Sequence, residues 1–223
     1  MSKLVKQLML VKWPAALLLA IFVITGCQSK EDVRAIQGLT MGTTYSVKWV
    51  SKSEETHAIK ADVEKALNKV NQSMSTYIDS SELSRLNQYR GEDWQPVSPA
   101  LFDVLRLSTS ISQQTEGAFD VTVGPLVNLW GFGPNGRIEH QPSDDVVAQT
   151  RDWVGADKLR LNGKVVTKAH DKTYVDFSSI AKGYAVDKVA ELLERQGITS
   201  YLVEIGGEMR IAGAKPDGSA WTV

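Results

Sequence analysis

Apolar residues in this chain repeat with two different periods, and the order of those periods limits the class of fold. Residues 43–50 alternate in polarity, as in a strand with one buried face. Between Ile59 and Met74, apolar residues recur at spacings of three or four, as in an amphipathic helix. The chain is therefore expected to combine strands with helices.

Short boundary signals predict further elements along the chain. Ser98-Pro99 is typical of a helix start, and this helix is predicted to run to about Gln114, with Gly117 available to end it. Asn162-Gly163 between two short strands predicts a tight hairpin turn, because both residues readily adopt positive φ angles.

The C-terminal part adds one helix and several strands. In order, it is predicted to contain a strand over 174–177, a helix capped by Ser178 or Ser179 and running to about 196, and strands over 200–205, 209–213 and 220–223. The last strand begins as the sequence stops, so we expect the sequence to be part of a longer protein. The mixed order, without regular βαβ alternation, predicts an α+β fold or an α/β sandwich.

The N-terminal residues have the pattern of a bacterial lipoprotein signal. Lys3, Lys6 and Lys12 form a basic region before an unbroken apolar run over 15–24. This run is too short to span a bilayer as a helix and suits the hydrophobic region of a signal peptide. Ile24-Thr25-Gly26-Cys27 then resembles a lipobox, in which the cysteine is lipidated and becomes the first mature residue. We expect cleavage after residue 26, although an ordinary signal peptide or an uncleaved anchoring helix would share part of this pattern.

A polar tether over 27–38 and a single domain over 39–223 are expected to follow the signal peptide over 1–26. The hydrophobic share of 43% supplies enough apolar residues for one core. The net charge is −1, and removing the signal peptide takes away lysines but no acidic residue. A mildly acidic body without a basic cluster argues against nucleic-acid binding. Since Cys27 is the only cysteine, the chain has no intramolecular disulfide and no thiolate metal cluster.

Several common catalytic motifs are absent from the sequence. It contains no GxGxxG, no GxxxxGK[ST] and no GxSxG, so the usual phosphate loops and the nucleophile elbow are excluded. His57, His140 and His170 are scattered in polar surroundings and are expected on the surface. A Ser-His-Asp triad is therefore poorly supported.

Three segments have compositions that suit a ligand as well as ordinary packing. Residues 40–44 place a glycine and small hydroxyl residues before a strand, where a backbone can approach a ligand or simply enter the sheet. Residues 117–133 place an acid beside aromatics, which suits a wall against a planar ligand or an irregular packed loop. Residues 175–184 place an acid at a strand end and a lysine near a helix start, which suits a pyrophosphate or a plain capped helix.

These segments, with two others in the same order, resemble the ApbE family of FAD:protein FMN transferases. The matching stretches are TMGTTYSV (40–47), MSTYIDSSELSRLN (74–87), GAFDVTVGPLVNLWGF (117–132), VDFSSIAKGYAVD (175–187) and VEIGGEMRIAG (203–213). The resemblance begins at about residue 36 and is looser over 48–70 and 133–172. It implies an α+β fold of the T-fold-like type, with a mixed sheet, helices and FAD in an extended pocket.

The resemblance also implies roles for particular residues. FAD contacts are expected at Met41, Tyr77, Ala118, Phe119, Asp120, Asp176 and Lys182. Ser179 is expected to offer its main-chain oxygen to Mg²⁺. The family's other metal ligands and its catalytic histidine lie in a segment that has no match within 1–223, so the catalytic residues are expected beyond residue 223.

The implied reaction is a phosphoryl transfer. A Ser or Thr hydroxyl of an acceptor protein attacks the FMN-side phosphorus of FAD in the presence of Mg²⁺, and AMP leaves. The alternatives are hydrolysis of FAD to FMN and AMP, and a non-catalytic periplasmic FAD-binding lipoprotein. The family and the lipobox imply a periplasmic protein held at the inner membrane by its lipid, with subunits of membrane redox pumps as acceptors.

Overall fold

The structure, a computed structural model, describes residues 30–223 and has mixed α+β architecture. The predicted signal peptide and Cys27 lie outside the described residues. In chain order the elements are β1 (Asp32–Thr40), β2 (Thr43–Ser51), α1 (His57–Met74), α2 (Glu82–Gln88), β3 (Gln95–Pro96), α3 (Pro99–Gln114), α4 (Gly124–Leu129), α5 (Asp144–Arg151), β4 (Leu159–Asn162), β5 (Val165–Lys168), α6 (Ala181–Arg195), β6 (Tyr201–Ile205) and β7 (Glu208–Ala212). This arrangement confirms the predicted α+β class.

The larger sheet has four antiparallel strands in the order β1-β2-β6-β7. Alternate residues of β2 and β6 point to one face, where they are almost completely buried. The cross-strand pairs on this face are Tyr45–Ile205, Val47–Val203 and Trp49–Tyr201. Helices α1 and α6 pack together beside this sheet, and their apolar residues join the same hydrophobic core.

Two helices follow the sequence pattern closely. In α1, Val63, Leu67, Val70 and Met74 are buried, as the predicted stripe requires. In α3, the Ser98 hydroxyl accepts a hydrogen bond from the Leu101 N–H, and Pro99 is the first helical residue. Both predictions are confirmed, because the spacing and the cap are local properties of the sequence.

The predicted polar tether over 27–38 is wrong from Asp32 onward, because β1 begins there. This strand pairs with β2 along its whole length, from Asp32 opposite Ser51 to Thr40 opposite Thr43. Its polarity does not alternate clearly, but pairing with β2 satisfies its backbone groups. The folded domain therefore starts earlier than the predicted residue 39.

The segment before α6 also differs from the prediction. Residues 174–177 do not form a strand, and Tyr174 makes a single parallel bridge with Val123. The helix begins at Ala181 rather than at the predicted serines, and its N-cap position has no side-chain hydrogen bond. The reason is that Ser178 is engaged in a tight turn with the side chain of Asp176.

The small sheet, β3-β5-β4, contains the predicted hairpin with its turn shifted by one residue. Asn162 pairs with Val165, so Gly163 and Lys164 are the two central turn residues. Gly163 has φ +58°, which suits a glycine in the first central position of a type II′ turn.

The predicted strand over 220–223 is not formed. The segment after β7 turns at Lys215, whose carbonyl accepts the Gly218 N–H at 2.9 Å. Trp221 is then buried, and its Nε1 donates to the carbonyl of Ala212 at 3.1 Å. An indole that reaches a backbone acceptor secures this segment without strand pairing.

Candidate active site

A cavity of about 780 Å³ lies between the β1–β2 turn, the end of α1 and the start of α6. Its volume is in the range of small-molecule sites. The lining residues are Met41, Gly42, Thr43, Val70, Asn71, Met74, Ser75, Thr76, Tyr77, Ile78, Asp176, Phe177, Ser178, Ala181 and Lys182. Apolar core residues thus form part of the wall, and hydroxyls and two charged groups converge on the rest.

The β1–β2 turn forms one edge of this cavity. Met41 and Gly42 are its two central residues, with φ angles of +49° and +72°. Met41 adopts this left-handed conformation, rare for a residue with a side chain, while packing against the hydrophobic core. A side chain at Gly42 would meet no atom within 4 Å, so the backbone there is open to a ligand.

Tyr77 stands at the cavity wall with 65% of its surface exposed. Its hydroxyl donates to the carbonyl of Phe132 at 3.3 Å, and its backbone N–H donates to the Ser75 hydroxyl at 3.1 Å. The ring is therefore held at both ends and still presents a large surface. Such a ring is suited to contact a flat, aromatic ligand.

Asp176 is the buried acid of the site. Its Oδ1 accepts hydrogen bonds from the Ser178 N–H at 2.7 Å and from the Ser178 hydroxyl at 2.5 Å. Within residues 30–223, Oδ2 accepts no hydrogen bond, and it is left for a ligand or a cation. Burial, followed by the negative charge of Asp176, raises the pKa of the Tyr174 hydroxyl.

Lys182 is the second residue of α6, and its side chain lines the cavity. A methyl group on Gly206, in the β6–β7 turn, would lie 3.3 Å from Lys182 Cδ, so the lysine stem runs close to that turn. A cation at a helix N-terminus is unfavourable next to the helix dipole unless an anion is bound there. The Ala181 N–H already donates to the Phe177 carbonyl at 2.8 Å, so any anion at this helix end would be bound by the next N–H groups and the ammonium.

The ApbE family model matches residues 41–223, which is most of the chain. The chain belongs to the ApbE family. It is 40% identical to the FAD:protein FMN transferase of Vibrio cholerae over 95% of this chain and 64% of the relative. It is 44% identical to the FAD:protein FMN transferase of Haemophilus influenzae over 90% of this chain and 60% of the relative. The chain thus spans less than two thirds of the length of these ApbE relatives.

Solved structures of ApbE proteins have the same fold. The flavin transferase ApbE from Vibrio cholerae aligns with a TM-score of 0.84 and 41% identity, covering 86% of this chain and 63% of that one. The apo form of the flavinyl transferase ApbE from Pseudomonas stutzeri aligns with a TM-score of 0.82 and 38% identity, covering 87% and 65%.

The structure of this ApbE-family chain brings four of the seven predicted FAD contacts to one cavity. These four are Met41, Tyr77, Asp176 and Lys182. Ala118, Phe119 and Asp120 do not line it: Ala118 is exposed, and Phe119 is half-buried against the core. Asp120 is half-buried, and its Oδ1 accepts bonds from the Thr122 N–H and hydroxyl. A role of these three residues in FAD binding stays a prediction.

Several lining residues were not singled out from the sequence. Asn71, on α1, donates from Nδ2 to the Thr40 hydroxyl at 3.3 Å and so ties the helix to the end of β1. Ser75 and Thr76 add further polar groups, whereas Thr43 belongs to the 40–44 segment that the sequence indicates. No sequence signal separates such polar residues from solvent-exposed ones. Their role follows only from the elements that meet at the cavity.

The described residues do not by themselves form a metal site. Over residues 30–223, no three His, Cys, Asp or Glu side chains come close enough together to hold a metal ion. Ser179, the predicted Mg²⁺ ligand, is exposed in the turn before α6 and does not line the cavity. The assignment of Ser179 to Mg²⁺ stays a prediction.

Proposed function

We propose that this protein transfers FMN from FAD to a Ser or Thr hydroxyl of an acceptor protein, with release of AMP. The observation that carries the proposal is the cavity, where Met41, Tyr77, Asp176 and Lys182 converge in a chain of the ApbE family. The names of the Vibrio cholerae and Haemophilus influenzae relatives support the same activity.

In the proposed reaction, the acceptor oxygen attacks the FMN-side phosphorus of FAD. A new phosphorus–oxygen bond forms, the bond from that phosphorus to the AMP oxygen breaks, and the hydroxyl proton passes to a base. Lys182 and the N–H groups at the start of α6 place positive charge where the pyrophosphate would lie. Tyr77 offers its exposed ring to a flat part of FAD. These groups orient FAD for attack and place positive charge near its phosphates, and positioning and electrostatic stabilisation together supply most of the catalysis in phosphoryl transfer.

Dependence on Mg²⁺ is part of the proposal. A bound Mg²⁺ would neutralise negative charge on the pyrophosphate. Asp176, with its free Oδ2 in the cavity, is the described carboxylate best placed near that charge. Removal of divalent metal with EDTA is expected to abolish transfer, and added Mg²⁺ is expected to restore it.

The deciding experiment mixes the intact protein, FAD, Mg²⁺ and a candidate acceptor, and then measures the acceptor by intact mass spectrometry. A mass gain of one FMN less one water, with AMP released in equal amount, is the expected result. FMN and AMP without a modified acceptor would instead indicate an FAD hydrolase. FAD that binds without being consumed would indicate a non-catalytic flavin-binding lipoprotein.

We also propose that the protein is anchored in the periplasm by a lipid on Cys27, at the inner membrane, with redox-pump subunits as acceptors. The lipobox at Ile24-Thr25-Gly26-Cys27 supports this proposal. Within residues 30–223, no helix is both long and apolar enough to cross a membrane. Palmitate labelling and cell fractionation of the wild type and Cys27→Ser test the lipid anchor. The variant should lose both the palmitate label and its association with the membrane fraction. An unlabelled wild type would refute the proposal.

A further inference from the structure

Asn87, at the end of α2, has a buried side chain that binds the backbone of a distant segment. It is 1% exposed. Its Oδ1 accepts the Val175 N–H at 2.8 Å, and its Nδ2 donates to the Val175 carbonyl at 2.8 Å. One side chain thus satisfies both backbone groups of Val175, as a neighbouring strand would do.

This contact matters because the side chains of Val175 and Phe177 are buried in the core, but the backbone of their segment is not paired in a sheet. Tyr174 makes one isolated bridge, and residues 175–177 belong to no strand. Asn87 is itself fixed, since its main-chain carbonyl accepts a hydrogen bond from the buried Lys168 Nζ at 3.1 Å. Lys168 also donates to the carbonyl of Asp171 at 3.3 Å, at the start of the same segment.

The segment leads directly into the cavity. Asp176 follows Val175, and its side chain lines the site next to Phe177 and Ser178. The backbone N–H of Asp176 donates to the Val121 carbonyl at 2.7 Å on the other side. A shift of the Val175 peptide therefore moves the carboxylate of Asp176, and small displacements of a reacting group are costly in rate.

We propose that Asn87 is a positioning residue of the FAD site, which acts through the Val175 backbone to hold the Asp176 carboxylate in place. This inference rests on the proposed function, since Asp176 is assigned to the pyrophosphate side of FAD there. Asn87 itself does not line the cavity and contributes no atom to the reaction.

The test compares Asn87→Ala with Thr173→Val in the intact protein. Thr173 is fully buried in the same segment, but its hydroxyl donates to the Trp153 carbonyl at 3.0 Å, away from the cavity. Both changes remove side-chain hydrogen bonds to the backbone, so both are expected to lower stability. Only Asn87→Ala is expected to lower kcat/KM for FMN transfer by roughly tenfold or more in protein shown to be folded.

A double-mutant cycle with Asp176→Asn separates positioning from general loosening. If Asn87 acts through Asp176, then adding Asn87→Ala to Asp176→Asn should cause less than about a twofold further loss. Additive losses, or an equal loss in Thr173→Val, would overturn the inference. If Asn87→Ala does not fold, Asn87→Ser, which keeps a shorter polar side chain, takes its place in every comparison.

Different results would contradict the FMN transferase activity and the positioning role of Asn87. Wild-type protein that neither binds FAD nor modifies an acceptor would defeat the proposed function, and this inference with it. Wild-type protein that transfers FMN, while Asn87→Ala transfers it equally well, would defeat the role of Asn87 alone.

Discussion

Two segments of the molecule build the same local structure around an aspartate. In one, Asp120 Oδ1 accepts the Thr122 N–H and hydroxyl, both at 2.7 Å. In the other, Asp176 Oδ1 accepts the N–H and hydroxyl of Ser178, at 2.7 and 2.5 Å. The segments are neighbours, since the Asp176 N–H donates to the carbonyl of Val121.

Their surroundings nevertheless differ. Thr122 is fully buried, and its hydroxyl also accepts the Gly155 N–H at 2.7 Å, so that turn is used to join parts of the fold. Ser178 is exposed at the cavity beside Lys182. The same short pattern therefore joins parts of the fold in one place and lines the cavity in the other. The difference between the two turns comes from the elements that pack around each of them, which lie far away in the sequence.

The first prediction concerns Lys168, which holds the segment that leads to Asp176. Burial, and then the Arg90 guanidinium, lower the pKa of the Lys168 ammonium to about 8. The unfolded chain, with a lysine pKa near 10.4, therefore binds more protons between about pH 8 and pH 10.4. In that window the free energy of unfolding is expected to rise with pH, by up to about 3 kcal/mol.

Urea unfolding at several pH values, with Lys168→Met as the matched variant, measures this effect. Methionine has a side chain of similar length to lysine but no charge. The part of the increase in unfolding free energy with pH that is due to Lys168 should therefore disappear in the variant. Equal pH slopes in wild type and variant would show that this ammonium is not destabilised by burial.

The second prediction compares the two aspartates directly. Asp176→Asn keeps the shape and an acceptor oxygen but removes the charge that faces the cavity. FMN transfer is expected to fall by about 10- to 100-fold, equivalent to ~1.5–3 kcal/mol, with a smaller change in stability. Asp120→Asn is the matched variant and is expected to have the smaller effect on transfer. Equal losses in matched Mg²⁺ would remove the distinction between the two turns.

The third prediction compares an aromatic residue from each region. Tyr77 is largely exposed at the cavity, so Tyr77→Ala should weaken FAD binding while changing the free energy of unfolding by less than about 1 kcal/mol. Phe119 packs against the core, so Phe119→Ala should destabilise by roughly 2 kcal/mol. Thermal unfolding and FAD titration on both variants check this, and a reversed order of stability would contradict the placement of the two rings.

The fourth prediction concerns the charge of Lys182. Lys182→Ala should raise the Kd for FAD by about tenfold at low salt, or ~1.4 kcal/mol, because the ammonium and the pyrophosphate attract each other. The difference should shrink at high salt, since ions screen that attraction. Titrations at two ionic strengths measure it, and Lys188→Ala, on the same helix outside the cavity lining, serves as the control. A salt-independent loss would indicate a packing role instead.

Much of the fold could be predicted from the sequence, because its signals are local. The α1 stripe and the Ser98 cap involve residues within a few positions of one another. Strand β1 was missed, because its own pattern is weak and its pairing with β2 forms it. The sequence predicts a strand over 174–177, but the backbone of Val175 bonds a side chain 88 residues away, that of Asn87. No local pattern contains such a contact.

Some residues of the candidate site could likewise be predicted from the sequence, and others could not. Met41, Tyr77, Asp176 and Lys182 were found through the family resemblance, and the structure places them around one cavity. The contribution of Asn71 depends on where α1 ends relative to β1, which spacing alone does not give. The composition of the 117–133 segment suits a ligand wall as well as a packed loop, so it does not decide which side of the segment faces a ligand, and the FAD contacts expected at Ala118, Phe119 and Asp120 stay a prediction.

The turn between β6 and β7 also has a consequence for how sequences of this kind can diverge. Gly206 has φ +56°, and a methyl group there would lie 2.7 Å from the Thr43 side chain and 3.3 Å from that of Lys182. A substitution at this position would therefore strain the backbone and displace a cavity residue at the same time. Mutations at positions 43 and 206 should consequently be epistatic: a smaller residue at 43 would relieve the steric clash with a side chain at 206 and leave only the backbone strain, so the less costly mutational path to a larger residue at 206 begins inside the cavity.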